Sequence, residues 1–276
     1  MARGGGVSRK AAAALVLAWM AAAALAPLLA PAPYAGQDLE HRLEGPSARA
    51  WLGTDDLGRD VLSRALYGAR VSLAVTAAAL AIALVAGTLL GAAAGYWGGL
   101  LDQALGRTVD VLLALPGILL AIAVVAYVGR GFSPLVLALS ATAWVGYARV
   151  ARALALSLRG RDFVTASRAC GAGGVHVLRR HILPHALGIL WVQAAAGAAS
   201  VMLAEAGLSF LGLGIQPPHP SWGEMLATGC DCLLEAPHLA LVPGALLFSA
   251  VWALNTLGES LSEGMDPGRR HRVDAV

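Results

Sequence analysis

Charged side chains are scarce in this sequence. Asp, Glu, Lys and Arg make up 13% of its residues, while hydrophobic residues make up 58%. Because a typical soluble domain carries about 25% charged residues, this balance excludes an ordinary soluble protein. The chain is expected to fold largely in contact with lipid.

Lysine is nearly absent, since Lys10 is the only one. A Gly-x-x-x-x-Gly-Lys-Ser/Thr phosphate loop therefore does not occur, and the chain is not its own ATPase by that route. The sequence also lacks a His-Glu-x-x-His metal pattern and a Gly-x-Ser-x-Gly nucleophile motif. We predict no catalytic residue, no cofactor, no metal site and no enzyme activity.

Cysteine is rare as well. Cys170, Cys230 and Cys232 are the only three, and they are too few and too scattered for a disulfide framework. A lone Cys-x-Cys with no further ligands nearby is a poor metal site. We expect all three to be packing or incidental residues.

Apolar runs, in contrast, are abundant. Six are long enough to cross a bilayer, which takes about 20 residues as a helix. They cover residues 11–30, 71–95, 109–128, 134–155, 187–210 and 239–260. Their polarity does not alternate as it would in a transmembrane barrel. We therefore predict an all-α polytopic membrane protein with six transmembrane helices, the third of them kinked at Pro116.

Small residues flatten one face of the second span. Gly87, Gly91 and Gly95 recur every four residues there, a spacing that lets a neighbouring helix approach closely. This face serves either packing within the chain, which we favour, or a seam between two chains.

The distribution of basic residues gives an orientation. They precede the first span, surround residues 158–186 (the arginine loop) and end the chain, whereas residues 212–238 contain no Lys or Arg. The positive-inside rule therefore predicts that both termini and the arginine loop are cytoplasmic. The first span is predicted to be an uncleaved signal-anchor helix, because it is longer than the core of a cleaved signal peptide, which is the alternative.

The segment ahead of the second span carries mixed charge. Leu57, Val61 and Ala65 share one helical face, which predicts an amphipathic helix resting at the outer interface or, equally, a solvated surface helix. Thr54 is the predicted cap of this helix, and Asp60 is expected to pair with a residue four positions on, Arg64.

The arginine loop is predicted to form two short helices. The first covers residues 161–170 and is stopped by Gly171, and the second covers residues 175–183 and ends near Pro184. A stretch this polar does not lie in hydrocarbon, so it must stand out on one side of the membrane.

The order of residues in this loop resembles that of a known family. Phe163-Val-Thr-Ala-Ser-Arg-Ala-Cys-Gly171, nine further residues and then His181-Ile-Leu-Pro184 are similar to the cytoplasmic coupling loop of binding-protein-dependent ABC importers. Thr165 stands where that family usually has Glu, and Ser167 where it has Ala. The resemblance implies a loop that docks on a separate ATPase; an amphipathic helix lying on anionic lipid is the alternative. The implied coupling residues are Arg161, Phe163, Thr165, Ala166, Arg168, Gly171, Leu183 and Pro184, with Arg161 and Arg168 supplying ion pairs.

Further stretches extend the resemblance from about residue 50 to the C-terminus. They are Leu52–Asp60, Tyr67–Ser72, Ala204–Gly214 and Gln216–Gly223, and they are similar to the C-type membrane subunit of dipeptide, oligopeptide and nickel ABC importers. Such a subunit has the type I importer permease fold and forms half of a translocation pathway for peptides. The implied partners are a second, homologous permease subunit in a heterodimer, two cytoplasmic ABC ATPases, an extracytoplasmic solute-binding protein and membrane lipid, with no nucleic acid. The implied location is the bacterial inner membrane.

The same resemblance divides the chain into three parts. Residues 1–70 are predicted to hold the first span and the external segment, residues 71–264 the core permease domain with the arginine loop, and residues 265–276 a cytoplasmic tail.

Glu205 lies inside an otherwise apolar run. An acid within the membrane is a functional-site hypothesis by default, because it is costly unless it faces protein or water. It either belongs to the translocation pathway or makes a structural hydrogen bond between helices. The competing functions are a proton-driven secondary transporter with Glu205 as the carrier, an ABC permease for nickel or another solute, and a membrane anchor without transport.

Overall fold

The computed structural model describes residues 4–265, and this part of the chain is helical with no β-strand. The helices are α1 (Gly4–Leu29), α2 (Val61–Trp97), α3 (Gly99–Ala114), α4 (Gly117–Val128), α5 (Phe132–Leu158), α6 (Asp162–Ala169), α7 (Gly174–Val177), α8 (Leu183–Phe210), α9 (Trp222–Asp231) and α10 (His238–Met265). A short 3-10 turn, Leu39–His41, precedes α2, and a π-helical turn, Leu178–Ile182, joins α7 to α8.

Within residues 4–265, five helices are long and apolar enough to cross a membrane. They are Arg9–Leu29, Val61–Trp97, Phe132–Leu158, Gly174–Phe210 and His238–Ser262. The pair α3 and α4 would make a sixth span, but it is bent by 93°. The predicted all-α, multi-span architecture is confirmed, with five to six spans.

The predicted kink in the span over residues 109–128 lies at Pro116, but it is a complete break between two helices rather than a bend within one. Leu115 is extended (φ −100°, ψ 139°), and the helix ends before it and restarts at Gly117. Pro116 explains the break, because proline lacks a backbone donor and disfavours helical geometry in the residue before it. The 12 residues of α4 span only about 18 Å at about 1.5 Å per residue.

The glycine face of α2 packs within the chain, as we favoured. A Cβ built on Gly87 would lie 2.4 Å from the carbonyl oxygen of Trp144 in α5, and one on Gly91 would lie 2.1 Å from that of Ala148. Because no side chain fits at these distances, the two backbones touch along this face. The α2–α5 pair therefore forms the tightest part of the bundle.

The segment ahead of α2 is not the amphipathic helix that periodicity suggested. The helix begins only at Val61, where the Asp60 carboxylate accepts a hydrogen bond from the Ser63 N–H at 2.7 Å, and it continues directly into the membrane span. Asp60 is therefore the cap, in place of Thr54. Residues 38–60, the cap segment, form turns that fold over this helix end.

The second arm of the arginine loop does not end at Pro184 either. The π turn places the Leu183 N–H on the Leu178 carbonyl, five residues back, and α8 continues through Pro184 to Phe210. A π turn widens the helix locally. This explains how the chain passes a proline that would otherwise clash with the preceding turn.

Two long helices run antiparallel, so that the start of each lies on the same side of the bundle as the end of the other. Residues 61–97 and 174–210 contain 37 residues each. A Cβ on Gly174 would lie 3.2 Å from the Tyr96 ring, whereas Ser72 accepts a hydrogen bond from the N–H of Trp222, just beyond the far end of α8. We call the end that holds the arginine loop the loop end, and the end that holds the cap segment and α9 the cap end.

Candidate functional site

The first arm of the arginine loop, α6, ends at Gly171 in a Schellman motif. The Gly171 N–H bonds to the Arg168 carbonyl at 2.9 Å, and the Ala172 N–H bonds to the Ser167 carbonyl at 3.1 Å. Gly171 has φ +86°, and a Cβ there would meet nothing within 4 Å. The turn predicted at Gly171 is present, and it depends on backbone conformation rather than on space.

One side chain anchors α6 to the rest of the molecule. Val164 is fully buried and packs in a cluster that includes Tyr96, Val177 and Ile182. Val164 was not predicted to face inward, because the apolar residues of an eight-residue helix lie on more than one face and do not reveal which face is buried.

The opposite face of α6 points away from the bundle. Phe163 is 38% exposed, and its ring stacks on His185 with centroids 5.4 Å apart. Thr165 and Ala166 are exposed, and the Thr165 hydroxyl bonds only to the Arg161 carbonyl of its own helix turn. Three of the predicted coupling residues therefore share an outward surface.

The two predicted arginines behave differently from each other. Arg161 is exposed at the start of α6. Arg168 turns back on its own chain: its Nε donates to the Tyr96 hydroxyl at 3.2 Å, and the guanidinium lies 4.9 Å from the centre of the Tyr96 ring. Tyr96 thus holds this guanidinium by a hydrogen bond and a cation–π contact, although Arg168 remains exposed. That Arg168 supplies an ion pair to a partner stays a prediction.

Leu183 and Pro184 lie where the loop joins α8. Leu183 is half-buried against the cluster around Val164, and Pro184 is exposed in the first turn of α8. Across the loop, a hydrogen bond of 3.2 Å joins a ring nitrogen of His181 to the Ser167 hydroxyl. The two arms are thus held together by the buried cluster and by this polar contact.

At the cap end, charges are buried in pairs. Arg64 is 3% exposed; its Nη2 donates to both Glu224 oxygens at 2.9 and 3.1 Å, and its Nε lies 3.2 Å from Asp55. Arg59 donates to the same Asp55 carboxylate at 2.6 Å. The predicted pairing of Asp60 with Arg64 is wrong, because Asp60 caps α2 and Arg64 reaches a partner 160 positions along the chain. Burial raises the pKa of the Glu224 carboxyl, while Arg64 opposes the shift.

Glu205 is fully enclosed near the end of α8, with no exposed surface. One carboxyl oxygen accepts a hydrogen bond from the Ser209 hydroxyl at 2.8 Å, and the other has no hydrogen-bond partner. Trp222, which is also fully buried, donates its indole N–H to the Ala65 carbonyl at 3.0 Å. Glu205 is therefore packed where α2, α8 and α9 meet.

The cap segment brings together three groups that could bind a metal ion: Asp38, Glu40 and His41. Arg49, however, already donates to Asp38 at 2.9 Å and to His41 at 2.8 Å. The hydrogen bond with His41, together with the charge of Arg49, lowers the pKa of Asp38. A guanidinium thus occupies the place that a metal cation would take.

The family model described as "Binding-protein-dependent transport system inner membrane component" matches residues 87–271. This range contains the whole arginine loop, the Glu205 region and α9. The cap segment lies before it.

Several curated proteins are similar over most of their length. The dipeptide transport system permease protein DppC of Alkalihalophilus pseudofirmus is 40% identical over 253 residues, which cover 92% of this chain and 83% of that protein. The di/tripeptide transport system permease protein DppC of Pseudomonas aeruginosa is 42% identical, covering 82% and 74%. The glutathione transport system permease protein GsiD of Pectobacterium atrosepticum is 41% identical, covering 83% and 76%.

A solved structure shares the fold. It is the MetNI methionine ABC transporter in inward-facing conformations, with a TM-score of 0.57 at 21% identity. The match covers 74% of this chain and 97% of the compared chain. The helical arrangement described above is therefore shared with a chain of that transporter.

Proposed function

Because this chain belongs to the family of binding-protein-dependent transport system inner membrane components, we propose that it forms half of the translocation pathway of an ABC importer for di- and oligopeptides. The observation that carries the proposal is the arginine loop, on which Thr165 and Ala166 are exposed and Phe163 is 38% exposed beside His185. The named relatives carry dipeptides, di/tripeptides or glutathione. Short peptide cargo therefore fits better than a nickel chelate.

The coupling contact is made by α6. A helix of eight residues is not stable by itself in water, so its position has to come from the rest of the protein. Val164 and Arg168 supply that support from within the chain, which leaves the opposite face to seat in a groove of an ATPase subunit. With Thr165 in place of a family Glu, shape and the Arg161 charge provide the contact.

The two long helices transmit the movement of the arginine loop across the membrane. At about 1.5 Å per residue, each 37-residue helix is about 55 Å long, enough to connect the loop end with the cap end. When ATP brings the ATPases together, the loops approach each other, and the helices turn the pathway towards the external surface. Hydrolysis then resets them.

The chain is a multi-pass inner membrane protein, and its orientation follows from charge. Arg161, Arg179 and Arg180 are exposed at the loop end, which the positive-inside rule places in the cytoplasm together with both termini. The cap end then faces the extracytoplasmic solute-binding protein.

The remaining partner is a second, homologous permease subunit that supplies the other half of the pathway. The resemblance to the C-type subunits favours a heterodimer. An apolar groove of about 530 Å³ between α2 and α8, lined in part by Leu84, Leu187 and Trp191, is covered by lipid or by this subunit.

The proton-driven alternative is not supported. A proton carrier has to meet water on each side of the membrane in turn, but Glu205 has no exposed surface. Membership of an ABC permease family also places the energy source on separate ATPase subunits.

The proposal is tested by placing a charge on the docking face. In a Phe163→Asp variant, recovery of the ATPase subunits with the affinity-purified permease should fall roughly tenfold, as expected when a contact residue is lost from a small interface. Phe132→Asp is the matched control, because Phe132 is similarly exposed but begins α5, far from the loop. Undiminished recovery with Phe163→Asp would argue against docking through α6.

A further inference from the structure

The two oxygens of the Glu205 carboxyl differ in their hydrogen bonding. One oxygen accepts the Ser209 hydroxyl, but Oε2 is buried without a partner. Leaving a buried polar atom unpaired costs roughly 1–3 kcal/mol. A native protein keeps such an atom when the group has a role that an apolar residue would not fill.

Two further hydroxyls converge on this carboxyl from other elements. Ser72 of α2 and Ser221, which caps α9, both lie beside Glu205. The Ser72 oxygen accepts the Trp222 N–H at 3.3 Å, and the Ser221 oxygen accepts the Glu224 N–H at 3.2 Å. Each hydroxyl therefore uses its oxygen to hold the start of α9 and keeps its own proton for a neighbouring acceptor. Glu205 is the buried acid beside all three serines, and the Ser209 hydroxyl is the one that bonds to it.

The chain between α8 and α9 is fitted closely around this group. A Cβ on Gly214 would lie 2.0 Å from the Ser209 hydroxyl oxygen, and one on Gly223 would lie 2.5 Å from the Ala206 carbonyl oxygen. Such approaches leave residues 212–231 no freedom to slide along α8. The bidentate Arg64–Glu224 pair fixes the same segment to α2.

We propose that Glu205 is a positioning residue that clamps residues 212–231 to both α2 and α8, so that this external segment moves with the two long helices as one body. Glu205 touches neither cargo nor nucleotide. Its role is mechanical: when the arginine loop moves, the clamp makes the cap end, which meets the binding protein, move with it. The inference rests on the proposed import function and adds the residue that joins the external segment to the moving helices.

The test measures peptide imported per ATP hydrolysed, using the full complex with its binding protein in proteoliposomes. Glu205→Ala should lower this ratio roughly tenfold, a typical size for coupling between two sites. Glu205→Gln keeps an oxygen for Ser209 and should restore at least half of the ratio. Ser209→Ala removes one contact, so it should give an intermediate value. Ser249→Ala is the control, because the Ser249 hydroxyl bonds to the Leu246 carbonyl in α10 and not to Glu205.

A Glu205→Ala complex that assembles poorly but imports at the wild-type ratio would overturn the proposal, because the residue would then serve folding alone. A Gln variant as defective as the Ala variant would also overturn it, since charge rather than positioning would be required. The wild-type complex tests the proposed function separately: if it imports no peptide, the function fails before Glu205 is considered.

Discussion

At the cap end, Arg64 is 3% exposed and bonded to Glu224 and Asp55; at the loop end, Arg161, Arg179 and Arg180 are exposed. No carboxylate pairs with these three arginines among the side chains that the structure describes. A buried charge needs a partner inside the fold, because desolvation is costly. An exposed charge is stable in water and remains available to another molecule. The cap end thus pairs these charges within the chain, whereas the loop end leaves three arginines available for the proposed contact with an ATPase subunit.

This comparison predicts that the largest loss of stability comes from the cap end. Glu224→Ala leaves the buried Arg64 with Asp55 as its remaining partner. Breaking a buried ion pair in this way lowers the free energy of unfolding by about 3–5 kcal/mol. The thermal unfolding midpoint of the purified permease in detergent should fall clearly. Glu235→Ala removes an exposed acid just beyond α9 and serves as the control. Equal midpoints for the two variants would mean that the Arg64–Glu224 pair contributes nothing.

A change in the loop should instead affect coupling with little loss of stability. Gly171→Val forces a β-branched residue into φ +86°, where a non-glycine residue costs about 1–2 kcal/mol. Because a Cβ has open space there, the damage is confined to the turn that aims α6. Uptake should be lost while the subunit still inserts in the membrane. Gly160→Val, at an exposed glycine with ordinary φ and open space, should transport normally; wild-type uptake by Gly171→Val would refute the role of the loop.

The smallest effects separate the two loop arginines. Arg168→Gln removes the contacts with Tyr96 and should lower stability by about 0.5–1 kcal/mol, the size of an exposed cation–π contact. Arg161→Gln should leave stability unchanged but reduce recovery of the ATPase subunits more than Arg168→Gln does. The division between an inward and an outward arginine is wrong if one of the two variants lowers both the stability and the recovery of the ATPase subunits more than the other does.

Local rules in the sequence predicted the features that neighbouring residues decide. The long apolar runs became spans, Pro116 interrupted the third one, and Gly171 adopted the left-handed turn expected after α6. Spacing also predicted the flat α2 face at Gly87 and Gly91. Each of these depends on backbone geometry or hydropathy within a few residues.

Features decided by distant residues were missed. Arg64 has a favourable neighbour in Asp60, yet it bonds to Glu224, because the fold brings α9 against the start of α2. Arg168 contacts Tyr96, which lies 72 positions earlier in the chain and which the local sequence did not predict as its neighbour. Pro184 predicted the end of a helix, but the π turn before it lets the helix continue. No local pattern contains this information.

The side of the membrane on which the arginine loop lies can be measured through two native cysteines. Cys170 is exposed at the loop end and Cys230 is exposed at the cap end, so a membrane-impermeant thiol reagent distinguishes the two faces. From the external side the reagent should label Cys230 and not Cys170. In inverted vesicles it should label Cys170, and less so when the ATPase subunits are bound. Labelling of Cys170 from the external side would contradict the account, because the arginine loop would then lie out of reach of any cytoplasmic ATPase.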